Sequence, residues 1–243
     1  MRLELEAEAD HDTEFACLLD RASPADIARC PDCKLETNSI KNRMDAAPAE
    51  LVRNLESARP LAWYQPGRQI QCGRYAYTLM ARPGRDFAAG FAPEVTPAQM
   101  LSAGVFEGKY LNDSWGEFPR EWFAGALRAR RLRAVADPAA NAFGLKSRLS
   151  LGAWQRNGWI HAPDPRGWFQ WYCRYWLGRR VPELDALQIA RWRAFARHRG
   201  QILASYRRLQ AARQPLPATR DAKRAHRARQ RQALLQWAYD PWV

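Results

Sequence analysis

The chain has 243 residues and a formal net charge of +13, and its hydrophobic content of 47% excludes a wholly disordered protein. No apolar run approaches the roughly 20 residues of a membrane-spanning helix. The acidic start, MRLELEAEADHD, lacks the apolar segment of a signal peptide. Five cysteines are few and odd in number, which argues against a disulfide framework. We therefore expect a cytoplasmic protein with no membrane partner.

The charge is divided unevenly along the chain. Residues 1–60 hold 8 Lys and Arg against 13 Asp and Glu, a net charge of −5, and residues 61–243 carry the balancing +18. All 11 tryptophans also lie in the second part. The division predicts an acidic, partly mobile arm over 1–60 and a basic Trp- and Arg-rich domain over 61–243. A body of this charge is expected to attract polyanions in a salt-dependent manner.

Hydrophobic periodicity predicts a mainly α domain of six to eight helices with a small β element. Residues 68–82 alternate in the two-residue pattern of a strand, and Gly73 interrupts the alternation, so this stretch is the best strand candidate and is compatible with a small hairpin but not with a large sheet. Capping residues, prolines and glycines set the helix limits. Helices are predicted over residues 96–103, 119–135, 150–157, 165–177, 183–211 and 220–238.

The helix over 165–177 is expected to lie at the centre of the fold, because aromatic residues occupy two of its adjacent faces. Asp164 is predicted to cap its start and Gly178 to end it.

An apolar stripe defines the longest predicted helix, 183–211, but Arg199 projects into it. Either Arg199 is buried and paired with Asp185 or Glu183, or the helix breaks at Gly200. The stripe consists of Ile189, Trp192, Phe195, Ala196, Ile202, Leu203 and Tyr206.

Three long motifs give the chain a resemblance to a known family. They are MLSAGVFEGKYLNDSWGEFPREWF, PDPRGWFQWYCRYWLGRR and RQRQALLQWAYD. Over most of residues 90–240 the chain resembles an uncharacterised Trp- and Arg-rich family of bacteria and plants. The resemblance implies no activity, cofactor or catalytic residue.

Arginines alternate with tryptophans between residues 158 and 199. Aromatic faces stack on bases and guanidinium groups bind phosphates, so the leading hypothesis is a nucleic-acid-associated protein. The alternative is a Trp-packed helical core with a solvated rim. The basic last helix, 220–238, is expected to add to the binding surface. The predicted anion-binding residues are Arg166, Gln170, Arg174, Arg179, Arg180, Arg193 and Arg197.

A second hypothesis is an enzyme acting on an anionic small molecule or a modified nucleotide. Its site would form where the polar loop 108–117 meets the segment 161–174, because loops on a rigid scaffold often hold chemistry. Helix caps and turns explain the same polar residues without catalysis. The candidate catalytic residues are Lys109, Asn112, Asp113, Glu117, His161 and Asp164.

A third hypothesis is a protein-interaction module, in which Trp and Arg form binding hot spots. The spacing of Cys30 and Cys33 matches half of a structural zinc site, but no second cysteine pair completes it. No phosphate-binding glycine loop or dinucleotide motif is present, and the sequence leaves the cofactor unknown.

Deleting residues 1–58 is expected to tighten binding to single-stranded DNA or RNA at low salt. An arm of net charge −5 competes with phosphates for the basic domain. Titration of a labelled oligonucleotide with both chains checks this prediction, and equal affinities would contradict it.

Overall fold

The computed structural model describes Leu55 and residues 57–243, and this part of the chain is mainly α-helical. Cys30, Cys33 and nearly all of the predicted arm lie outside it. The described residues form one antiparallel sheet, β1 (Gln69–Cys72) and β2 (Tyr75–Thr78), and short 3-10 turns at Leu61–Trp63, Phe106–Gly108 and Pro138–Ala140. The α-helices of this part are α1 (Pro97–Ser102), α2 (Arg120–Arg128), α3 (Leu151–Arg156), α4 (Trp168–Leu177), α5 (Pro182–Phe195), α6 (Arg197–Ala211), α7 (Arg220–Ala225) and α8 (Ala228–Gln236).

The predicted small β element is confirmed, and it is a hairpin. Ile70 pairs with Tyr77 across the two strands, and both side chains are buried. Gly73 occupies the turn with a φ of 57°, a backbone conformation that glycine adopts without steric cost. The alternation of the strand therefore directs one face of the hairpin toward the core.

Helix α4 lies at the centre of the aromatic core, as predicted. Nine of its ten residues are buried, and the Phe91 ring contacts Trp171, Tyr172 and Tyr175 edge-on. Gly178 ends the helix with a φ of 116°. A Cβ atom at this position would lie 2.1 Å from the carbonyl oxygen of Ala81, so only glycine fits the approach of these two segments.

The start of α4 differs from the prediction. The helix begins at Trp168, with Gly167 at the N-cap position, and Asp164 does not cap it. The Asp164 side chain is buried and accepts hydrogen bonds from arginines. A charged partner outweighs a cap here, because a buried carboxylate needs a counter-charge.

The predicted helix 183–211 is two helices, and the break is at Ala196 rather than Gly200. At this residue the backbone forms a tighter turn of the 3-10 type, because the Ala196 N–H donates to the Arg193 carbonyl three residues before it. Arg199 is only partly buried and pairs with Glu94, not with Asp185 or Glu183.

Two other predicted helices are shorter than expected. The helix predicted over 119–135 ends at Arg128, because Arg130 has a φ of 53°. The helix predicted over 220–238 is divided at Arg227, which has a φ of 55°. Neither interruption is marked by glycine or proline. Within residues 57–243, no helix combines the length and the apolar character needed to cross a bilayer.

Five of the eleven tryptophans are buried, and the other six are half-buried. Trp122, Trp171 and Trp192 are at most 6% exposed, and Trp176 is half-buried. Trp192 stacks on Tyr239 with ring centroids 4.7 Å apart, and the Tyr239 hydroxyl donates to the Trp192 carbonyl. This pair fixes the chain after α8 against α5.

Trp192→Ala is expected to lower the free energy of unfolding by about 3–5 kcal/mol, because it leaves a cavity against Tyr239 and Phe91. Urea denaturation measures the loss. Leu203→Ala is the matched control: Leu203 was expected in the same stripe but is 41% exposed, so its replacement should change little. Equal stabilities for both variants would show that Trp192 is not a core residue.

Candidate functional site

Arg174 joins two buried carboxylates beneath the hairpin. Its Nε donates to Glu117 Oε1 at 2.6 Å and its Nη1 donates to Asp164 Oδ1 at 2.9 Å. The side chains of all three residues are at most 2% exposed. The Glu117 carboxylate also accepts from the Tyr77 hydroxyl at 3.1 Å. The arginine therefore connects the loop before α2 with the turn before α4.

Arg179 completes this cluster from the other end of α4. It binds Asp164 through both terminal nitrogens, at 2.9 and 2.6 Å, and is 1% exposed. Its Nη1 also donates to the Tyr75 hydroxyl at 3.2 Å. We call Glu117, Asp164, Arg174 and Arg179 the buried quartet. Two positive and two negative charges leave it electrically neutral.

The carboxylates keep Arg174 charged despite its burial. Burial disfavours the charged form, but the hydrogen bond and charge of Glu117 more than offset it, so the pKa of Arg174 lies above its ordinary value. The pKa of Tyr77 also lies well above its ordinary value, because burial and the negative charge of Glu117 both disfavour the phenolate.

The expectation that Arg174, Arg179 and Arg180 form an accessible phosphate site is wrong. Arg174 and Arg179 are buried in the quartet. Arg180 is half-buried, lies over the Tyr175 ring at 4.0 Å and donates to backbone carbonyls, among them Tyr175 O at 2.6 Å. The charge that was expected to attract an anion is satisfied within the protein.

The other predicted anion-binding residues do not form one groove either. Gln170 is 2% exposed and accepts from the Arg166 backbone N–H. The Arg166 guanidinium binds both oxygens of Asp113, each at 2.6 Å. Arg193 is exposed but donates to the Ala89 carbonyl, and Arg197 is half-buried. The structure thus distributes these residues among separate contacts.

The loop 108–117 does meet the segment 161–174, where the enzyme hypothesis places its site. Asn112 Nδ2 donates to the carbonyls of Gly108 and Arg133, and Lys109 is half-buried beside them. His161 meets Asp164 through the backbone, since the Asp164 N–H donates to its carbonyl at 2.8 Å. Asp113, Glu117 and Asp164 each accept a hydrogen bond from an arginine within the protein.

Sequence reasoning missed Glu107, which directly precedes this loop and is 2% exposed. It belongs to three successive residues with positive φ, Phe106 to Gly108. A positive φ strains residues other than glycine. Glu107 and two carboxylates of the loop bind three arginines from elsewhere in the chain. The pairs are Glu107 with Arg148, Asp113 with Arg166, and Glu117 with Arg174.

A different part of the chain combines many basic residues with few acidic ones. Residues 197–231, here called the basic C-terminal segment, contain eleven Lys and Arg against one Asp. Among the described residues, no carboxylate lies within ion-pair distance of five of its exposed arginines. These are Arg207, Arg208, Arg213, Arg224 and Arg227.

Arg231 is the exception in this segment, because it is fully buried. It donates to the carbonyls of His226 and Val243, at 2.8 and 3.0 Å, and to the Tyr206 hydroxyl. The Tyr206 ring stacks on His226 with centroids 5.3 Å apart. Arg231 therefore holds α6, the start of α8 and the end of the chain together.

Comparisons with protein-family models, curated proteins and solved structures found no match to this chain. Within the described part, no group of three or more His, Cys, Asp or Glu residues is arranged to hold a metal ion. The candidate zinc residues Cys30 and Cys33 lie outside the described residues. The chain's own charge and contacts are consequently the basis on which its function can be inferred.

Arg174→Gln is expected to lower the free energy of unfolding by about 3–5 kcal/mol, because it strands Glu117 in the interior without its counter-charge. Arg82→Gln is the control: Arg82 is exposed, and its replacement should cost no more than about 0.5 kcal/mol. Urea denaturation of both variants tests the difference. A loss below about 1 kcal/mol for Arg174→Gln would contradict a structural role for the quartet.

Proposed function

We propose that this protein binds nucleic acid through the basic C-terminal segment. The observation that carries the proposal is the run of exposed arginines on α6, α7 and their connection, with a single Asp within the segment. Such a surface attracts phosphates by charge and by release of their counterions. The proposed location is cytoplasmic, in keeping with the few and odd-numbered cysteines.

The contacts inside this segment support a surface that is ready to bind. Arg231 anchors α8 to the end of the chain, and Lys223 Nζ donates to the Trp242 carbonyl at 2.9 Å. Arg220 lies over the Trp242 ring at 4.3 Å. The helices are therefore held by some basic residues, while others remain exposed. A preformed surface loses less conformational entropy on binding.

The buried quartet favours this location over the aromatic helix α4. Arginines that already bind carboxylates gain little from a phosphate, because the existing ion pairs must first be broken. The side chains of Arg207 and Arg208 have no such partner among the described residues. The five exposed arginines without a carboxylate partner thus make the segment after Ala196 available to an external anion.

The double variant Arg207→Gln/Arg208→Gln is expected to weaken binding to single-stranded DNA and to reduce the log–log salt slope by about 1.4, as expected for two lost phosphate contacts. Fluorescence anisotropy at several salt concentrations measures both effects. The melting temperature should remain close to that of the wild type, because both side chains are exposed.

The double variant Arg82→Gln/Arg128→Gln is the matched control. It removes the same charge from exposed positions outside the segment. A purely global attraction would weaken binding equally in the two double variants. Equal losses, or no binding by the wild-type chain, would therefore overturn the proposed site.

A further inference from the structure

An open apolar cleft lies within the basic C-terminal segment, between α6 and α7. Its volume is about 500 Å³. Leu216 forms part of its wall and is 40% exposed. The cleft is lined by Leu209, Pro215, Leu216, Pro217, Ala222, Ala225 and His226. Small-molecule sites commonly combine such an apolar lining with a few polar groups.

Arginines neighbour the residues that line this cleft on α6 and on α7. Arg208 directly precedes the lining residue Leu209, and Arg224 lies between the lining residues Ala222 and Ala225. Both arginines are exposed. The cleft thus offers an apolar interior beside positive charge, the combination that complements a flat base attached to a phosphate backbone.

His226 supplies a polar group with a defined hydrogen-bonding role. Its Nε2 lies 2.7 Å from Ser205 Oγ, and the Ser205 hydroxyl donates its proton to the Ile202 carbonyl at 2.6 Å. Ser205 must therefore accept from His226, so Nε2 carries the proton. Burial and the nearby Arg231 and Arg227 lower the pKa of His226, which favours the neutral ring.

A neutral ring protonated on Nε2 has an acceptor at Nδ1. This atom has no hydrogen-bond partner within the described part of the chain. It is therefore able to accept from an amino or imino N–H group of a base. Tyr206 stacks on the same ring and fixes its orientation.

We infer that the cleft binds an unstacked base of a single-stranded nucleic acid, while the neighbouring arginines bind its phosphates. This inference rests on the proposed function and specifies its ligand. Bases flanked by apolar side chains and held at their edges by hydrogen bonds are a common form of recognition. A duplex keeps its bases stacked and cannot fill the cleft without unpairing.

The test compares oligothymidylate with an abasic strand of equal length, which carries the same phosphates without bases. The wild-type chain is expected to bind oligothymidylate about tenfold more tightly, the effect of contacts to a base. Leu216→Ser should lower this preference to about twofold or less and leave affinity for the abasic strand unchanged. Fluorescence anisotropy at fixed salt gives both affinities.

Two further variants keep the result interpretable. Ala222→Met fills the cleft from α7 and should have the same effect as Leu216→Ser, without shortening an apolar side chain. Leu203→Ser is the control, because Leu203 is similarly exposed but does not line the cleft. Thermal melts verify that each variant is folded.

The outcomes separate the two proposals. Equal affinity of the wild-type chain for both strands would overturn the base-binding cleft and leave the proposed function standing. A base preference that survives both cleft variants would also overturn the cleft. Failure to bind either strand would overturn the proposed function and the cleft together.

Discussion

The pairing of two buried arginines with two buried carboxylates is the interaction on which the rest of the structure depends. Removing these charges from water is costly, and their mutual attraction roughly compensates, so the quartet adds little net stability. Its effect is that all four charged residues must be present and correctly placed. Glu117, Asp164 and helix α4 must meet beneath the hairpin in one arrangement, because any missing partner leaves an unpaired charge in the interior.

This requirement also explains how the positive charge is distributed. Arg174 and Arg179 are neutralised inside the protein, although the sequence of α4 and its C-terminal turn is among the most basic and aromatic of the chain. The tryptophans of the same region support one another, as in the contact of Trp168 with Trp171. After Ala196 the helices carry few acidic residues, so arginines such as Arg207 and Arg208 lie exposed without a carboxylate partner among the described residues.

Local patterns in the sequence were sufficient for the hairpin and for several helix ends. Thr96 and Ser150 accept backbone hydrogen bonds as N-caps, and Gly178 ends α4 in a positive-φ conformation. The burial of Arg174 was not predictable in this way, because its partner Glu117 lies far away in the sequence and helical periodicity assigns arginine to the solvent. The break at Ala196 lacks the glycine or proline that usually marks one.

For the candidate site too, one part can be predicted from local sequence and another part requires contacts between distant residues. A charge count along the sequence is enough to identify 197–231 as basic. An arginine that stays exposed does not depend on a partner from a distant part of the sequence. The cleft is different, because it exists only where the connection after α6 returns with Leu216 and Pro217 to meet α7. Because the aromatic residues of α4 lie in the core, the proposed base contact falls on this cleft rather than on α4. The cleft presents aliphatic side chains and one histidine, which are the contacts that the proposal assigns to a base.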